Sequence, residues 1–192
     1  MSDQHDFFRS HGFLKSSIVR SEDGSKLDIA ELPPFLRTLL VADGTVTKSL
    51  EAYFWEPVSV ETLTQESITL EHALPWLNCA EGNPVLQRKV LLRGQVSKRV
   101  FAYADSYLRT QDLPNEITEG MLSGQLGIGE LLREMGLETY REVLDLGRTP
   151  VVCEKTGRTE THIYRTYVIH LNGRPSIQIT EQFPLRVFEE DS

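Results

Sequence analysis

Apolar and polar positions alternate with a period of two over much of the chain after residue 57, the pattern of strands with one face on a core. Val58, Val60 and Thr62 predict a strand over 58–63. Two more are predicted over 85–93 and 99–108, joined by a turn at Gly94-Gln95-Val96-Ser97-Lys98. Upstream, Pro33-Pro34 before Phe35-Leu36-Arg37-Thr38-Leu39-Leu40-Val41 predicts a helix with proline in its first turn, ended by Asp43-Gly44. Between Leu113 and Gly136 the period becomes helical: Ile128, Leu131, Leu132 and Met135 form one stripe, and Gly136 is the stop. A strand from Thr139 to Leu146 and a loop over 148–161 then lead to Ile163–Leu171, Asn172-Gly173 and Arg174–Phe183. Asn-Gly between alternating runs is a strong hairpin signal. Residues 1–28 show little periodicity and are expected to be weakly ordered, with 29–192 forming a single domain. Strands outnumber helices and their connections are short. The expected fold is therefore α+β, an antiparallel β-sheet with helices packed on one face.

Two strands break their own pattern. Leu86, Val90 and Leu92 form an apolar row that includes Arg88, and Ile177, Ile179 and Phe183 form one that includes Glu181. Both charges should point where the core points, and a buried charge needs a partner. One explanation is a buried ion pair, or an arginine head that escapes to solvent at a strand end. The other is an enclosed anion site, with Arg88 forking onto a carboxylate and Glu181 accepting from a hydroxyl. Arg165 lies on the same hairpin. A two-residue turn pairs Leu171 with Arg174 and so Tyr164 with Glu181. Unless a bulge intervenes, that register turns Arg165 to the opposite face, where its role is structural.

Composition narrows the field. With 40% hydrophobic and 25% charged residues the chain is an ordinary globular one, and a net charge of -8 argues against sequence-independent nucleic-acid binding. Cys79 and Cys153 are too few for a disulfide framework. The start, Met-Ser-Asp-Gln-His-Asp, shows no secretory signal, and no apolar run approaches the roughly 20 residues of a membrane span. A cytoplasmic protein without membrane or nucleic-acid partners is expected. His5, His11, His72, His162, His170 and the two cysteines have no zinc spacing, so no metal is expected. Gly124-Gln125-Leu126-Gly127-Ile128-Gly129 enters a helix, but its order is wrong for a dinucleotide fingerprint or a phosphate loop.

These residues also carry a family resemblance. Leu32-Pro33-Pro34 with Leu39-Leu40, Asp43-Gly44-Thr45-Val46-Thr47-Lys48-Ser49-Leu50-Glu51, Arg88-Lys89-Val90-Leu91-Leu92, Gly127-Ile128-Gly129, Asn172-Gly173-Arg174-Pro175 and Thr180-Glu181-Gln182-Phe183 follow one another in an order that resembles chorismate lyase. The Ile-Gly-Glu-Leu-Leu form is closer to the cyanobacterial and archaeal branch than to the proteobacterial ubiquinone enzyme. The resemblance covers about residues 32 to 185. It implies an antiparallel sheet with the site enclosed under helical flaps. It also implies conversion of chorismate to a hydroxybenzoate plus pyruvate, without cofactor or metal. Carried over by position, it makes Arg88 and Glu181 the catalytic pair and Val46, Arg88, Ile128 and Glu181 the substrate-binding set. The pair coincides with the two misplaced charges. One departure stands out: Tyr103-Ala104-Asp105-Ser106 occupies the place of a Gly-Arg-Thr segment in the proteobacterial enzymes, removing one positive charge near the site.

4-Hydroxybenzoate is the first expectation for the product, and 3-hydroxybenzoate, formed by relatives in natural-product pathways, is the alternative. The rival from another class is a non-catalytic small-anion sensor of the same fold, as in regulators of the GntR type. Those usually follow a winged helix, whereas only about 30 residues precede the matching region here.

Overall fold

The computed structural model describes residues 17–42, 44–122, 127–152 and 157–189. Two short strands, β1 (Ile18–Arg20) and β2 (Lys26–Asp28), pair as an antiparallel hairpin. Helices α1 (Pro34–Val41) and α2 (Val46–Phe54) follow, then strands β3 (Val58–Thr69), β4 (Pro84–Gly94) and β5 (Val100–Leu108). After α3 (Asn115–Leu122) and α4 (Ile128–Glu134) come β6 (Thr139–Val152), β7 (Thr159–Leu171), β8 (Arg174–Pro184) and α5 (Leu185–Glu189). The six long strands form one antiparallel sheet in the order β3-β4-β5-β8-β7-β6, so the fold is α+β.

Several expectations are corrected. Part of the segment expected to be weakly ordered, from residue 17 on, is the β1–β2 hairpin, which seats Val19 and Leu27 in the core. The preceding residues lie outside those described. The helical stretch expected from Leu113 to Gly136 is two helices, and residues 123–126 between them, with Gly124, lie outside those described. Met135 leaves the predicted stripe: it sits at the C-terminal cap of α4 and is 37% exposed. Gly136 follows at φ +64, the left-handed stop its lack of a side chain permits. Of the loop expected over 148–161, both ends are strand, with Val152 paired to Thr159. Pro150 is compatible with this because β6 is an edge strand, where a missing N–H need not break a ladder. Asp43 and Cys153 fall outside the described residues.

Helices cover one face of the sheet, over two apolar clusters. In the first, Leu36, Leu39, Leu40 and Leu50 of α1 and α2 join Leu92, Ala102 and Phe183. In the second, Ile117, Met121, Leu131 and Leu132 of α3 and α4 join Leu108, Ile169 and Ile177. Ala104 and Val143 pack against both. The two helical pairs thus meet above the middle of the sheet, and the seam between them is where a cavity opens.

The β1–β2 hairpin is fastened to β6. Ser21 Oγ donates to the Leu146 carbonyl at 2.6 Å, and Asp145 accepts from the Glu22 N–H and the Tyr164 hydroxyl, both at 3.0 Å. Asp145→Ala would strand two donors at a buried position, so a loss of about 1–3 kcal/mol is expected in urea unfolding. Asp145→Asn keeps an acceptor and should lose less.

Candidate active site

The cavity at the seam brings together all four residues singled out in the sequence: Val46, Arg88, Ile128 and Glu181 line it. Strand register explains the arrangement. Arg88 on β4 lies opposite Ser106 on β5, which lies opposite Ile179 on β8. One row along, Val90 faces Ala104, which faces Glu181. Arg88 and Glu181 therefore project from the same face, two strands and one row apart, with the small side chains of Ala104 and Ser106 between them. Larger residues on β5 would fill that floor.

Arg88 is 1% exposed, and its Nη2 donates to Thr62 Oγ1 at 3.2 Å. Burial pulls its pKa below the ordinary arginine value. Even so displaced, a guanidinium remains protonated, so the floor of the cavity carries a full positive charge.

Glu181 is 8% exposed and held by two donors. Arg165 Nε reaches one oxygen at 2.7 Å, and the Tyr167 hydroxyl reaches the other at 3.1 Å. This overturns the predicted register. Glu181 lies opposite Arg165, not Tyr164, because β8 carries an extra residue: His170 pairs with Pro175 and Ile169 with Ile177, leaving Ser176 as a bulge. Pro175 was the signal. A proline cannot donate to a ladder, and within a central strand it marks a bulge.

Arg165 therefore belongs to the site's support. Its Nη1 donates to the carbonyls of Leu39 at 2.5 Å and Ala42 at 2.7 Å, at the C-terminal end of α1. Carbonyls at the C-terminal end of a helix lack intrahelical partners as a rule, and a cation there also suits the helix dipole. The guanidinium carbon lies 4.9 Å from the centre of the Tyr167 ring. Burial lowers the Arg165 pKa, but the charge of Glu181 together with Tyr167 and the hydrogen bonds to both more than offsets it and holds it above the ordinary value. Burial and then the charge of Glu181 push the Tyr167 phenol up, so it stays an O–H donor.

Two helix starts roof the cavity. Thr45 and Val46 lead into α2, and Gly127-Ile128-Gly129 leads into α4. They touch at Gly129, where an added Cβ would lie 3.3 Å from Thr45 Oγ1 and 3.6 Å from Arg141 Nη2. Glycine allows that approach. Arg141, on β6 opposite Ile169, also lines the cavity and was missed in the sequence, where it falls in a strand of ordinary mixed polarity. Gly129→Val should wedge the two helix starts apart and weaken binding of an aromatic acid several-fold by calorimetry.

An antiparallel sheet roofed by helices, with a buried arginine and a braced carboxylate in one cavity, defines the class as an α+β domain with a charged cavity at its helical seam. Comparison with known proteins narrows this. Residues 40–190 match the family model described as Rv2949c-like, Chorismate pyruvate-lyase Rv2949c-like, and the chain belongs to that family. A Chorismate pyruvate-lyase of Mycobacterium leprae is 30% identical over 171 residues, covering 86% of this chain and 81% of the relative. In structure the chain resembles PhnF from Mycobacterium smegmatis, with a TM-score of 0.56 and 13% identity over 75% of this chain and 65% of that one. It also resembles a putative GntR-family transcriptional regulator, with a TM-score of 0.54 and 18% identity over 74% of this chain and 61% of that one. At such identities the regulators share the fold alone. Among the described residues no helix is long and apolar enough to cross a membrane.

Proposed function

We propose that the protein is a lyase that converts chorismate to 4-hydroxybenzoate and pyruvate without a cofactor. The observation that carries this reading is the placing of Arg88 and Glu181, from separate strands, in one cavity beneath the Val46 and Ile128 helix starts. Arg88 takes the ring carboxylate, and the first-turn N–H of Ile128 faces the same group. Glu181 accepts from the ring hydroxyl. Its two oxygens offer about four acceptor sites, and Arg165 and Tyr167 occupy two of them. Val46 is apolar wall.

In the reaction the ring C3–O bond breaks and a proton leaves C4, whose C–H electron pair completes the aromatic ring. The departing enolpyruvate takes up a proton on its methylene carbon and ends as pyruvate. Substrate and products balance without water, oxidant or added group. Aromatisation supplies the driving force, so the protein's part is to hold the ring and exclude solvent.

Incubation of the purified protein with chorismate, without metal or nucleotide, tests this by chromatography. Pyruvate with 4-hydroxybenzoate in equal amounts is expected. Pyruvate with 3-hydroxybenzoate would reassign the product. Binding of 4-hydroxybenzoate through Arg88 without turnover would make the chain a small-anion sensor instead.

A further inference from the structure

Arg88 is the buried cation on the cavity floor, and it accounts for one carboxylate. Chorismate has two, the second on the enolpyruvyl side chain, whereas 4-hydroxybenzoate has one. Among the described residues lining the cavity, Lys48, Arg88, Arg133 and Arg141 are cationic and Glu130 and Glu181 anionic, an excess of two positive charges. Lys48 and Arg133 are poor candidates for the second carboxylate. Their side chains are 56% and 53% exposed, and each reaches a glutamate on its own helix, Glu51 at 2.9 Å and Glu130 at 3.6 Å. Exposed charges are screened by water and salt.

Arg141 differs in burial and in place. It is half-buried on β6, beside Ile169 and Tyr167 of the cavity wall. Its Nη2 lies by Gly129 and Thr45, where the two helix starts meet. Its charge reaches the interior, since it acts on the buried Tyr167 phenol. A guanidinium has five donors in a planar fork, enough to take a carboxylate alongside its other contacts.

We infer that Arg141 receives the enolpyruvyl carboxylate and so distinguishes the dicarboxylate substrate from the monocarboxylate aromatic product. The assignment rests on the lyase reading for its substrate. Its chemistry, a second anion site beside the Arg88 site, can be tested apart from turnover. Strong binding at Arg141 is lost once the C3–O bond breaks, because the second carboxylate then leaves with pyruvate.

The test compares two ligands on the full chain by calorimetry: 4-hydroxybenzoate, and 3-(1-carboxyethoxy)benzoate, a stable aromatic dicarboxylate. Arg141→Gln should weaken the dicarboxylate roughly 10- to 100-fold, the range for a lost charged hydrogen bond, and leave 4-hydroxybenzoate within about twofold. With chorismate as substrate, KM should rise by a similar factor. Arg141→Lys keeps the charge but loses the fork, and should recover part of the discrimination. If Arg141→Gln does not fold, Arg141→Lys is judged by the same standard of selective loss. Equal losses on both ligands, or none on either, would overturn the assignment. Wild-type protein that discriminates through Arg141 yet does not turn over chorismate would keep it and remove the lyase reading.

Discussion

Arg88→Met is expected to abolish measurable turnover of chorismate and binding of 4-hydroxybenzoate while leaving the protein folded. Truncating one partner of a buried charged hydrogen bond costs roughly 2–5 kcal/mol, which is about 30-fold to several thousand-fold in rate or affinity. Stability should respond in the opposite sense, because the guanidinium is desolvated by burial. An apolar side chain of similar length removes that penalty, so the unfolding midpoint should hold or rise. Thr62 loses its Arg88 contact. Arg88→Lys is not a mild substitute, since a point charge cannot form the planar fork on a carboxylate. Steady-state kinetics and calorimetry, run beside thermal unfolding, separate the two effects. A stable Arg88→Met protein that still turns over chorismate would show that the buried arginine is only structural.

Much of this site was legible because burial of charge is costly enough to show in a sequence. A polar residue on an apolar strand face needs either a protein partner or a ligand. Arg88 lines the cavity floor, and Glu181 is both braced by Arg165 and exposed to the cavity. The antiparallel sheet was legible from period-two alternation, and the α1 helix from its prolines. What stayed hidden depends on geometry that a one-dimensional pattern does not hold. The Ser176 bulge moves the hairpin by one residue, and that single step decides whether Arg165 meets Glu181 or turns away from it. Arg141 gives no local signal because it sits on an edge strand of mixed polarity. Its importance comes from Gly129, twelve positions earlier, approaching it across the roof. Nor does periodicity say that the helices fall into two pairs, and the cavity exists only where those pairs meet.

Arg165→Met is the substitution expected to cost the most stability. The side chain is 1% exposed, pairs with Glu181 and satisfies the Leu39 and Ala42 carbonyls at the end of α1. Removing one member of a buried ion pair costs about 3–5 kcal/mol, a large share of the roughly 5–15 kcal/mol that holds a typical domain together. Much of that loss comes from the carboxylate left behind, so it should be partly reversible. In Arg165→Met/Glu181→Met the orphaned charge is gone, and the double variant should be more stable than Arg165→Met alone, with a coupling of about 0.5–3 kcal/mol. The two α1 carbonyls remain unsatisfied in both, which keeps the rescue incomplete. Arg165→Lys restores the charge but cannot reach Glu181 and two carbonyls from one planar group, so it should fall between. Urea unfolding of the wild type, Arg165→Met, Glu181→Met and the double variant measures the cycle. Additive losses would mean that Arg165 acts on α1 alone. Coupling would mean that the helix leading into the Thr45–Val46 roof and the carboxylate in the cavity are held by one side chain, so that disorder in either reaches the other.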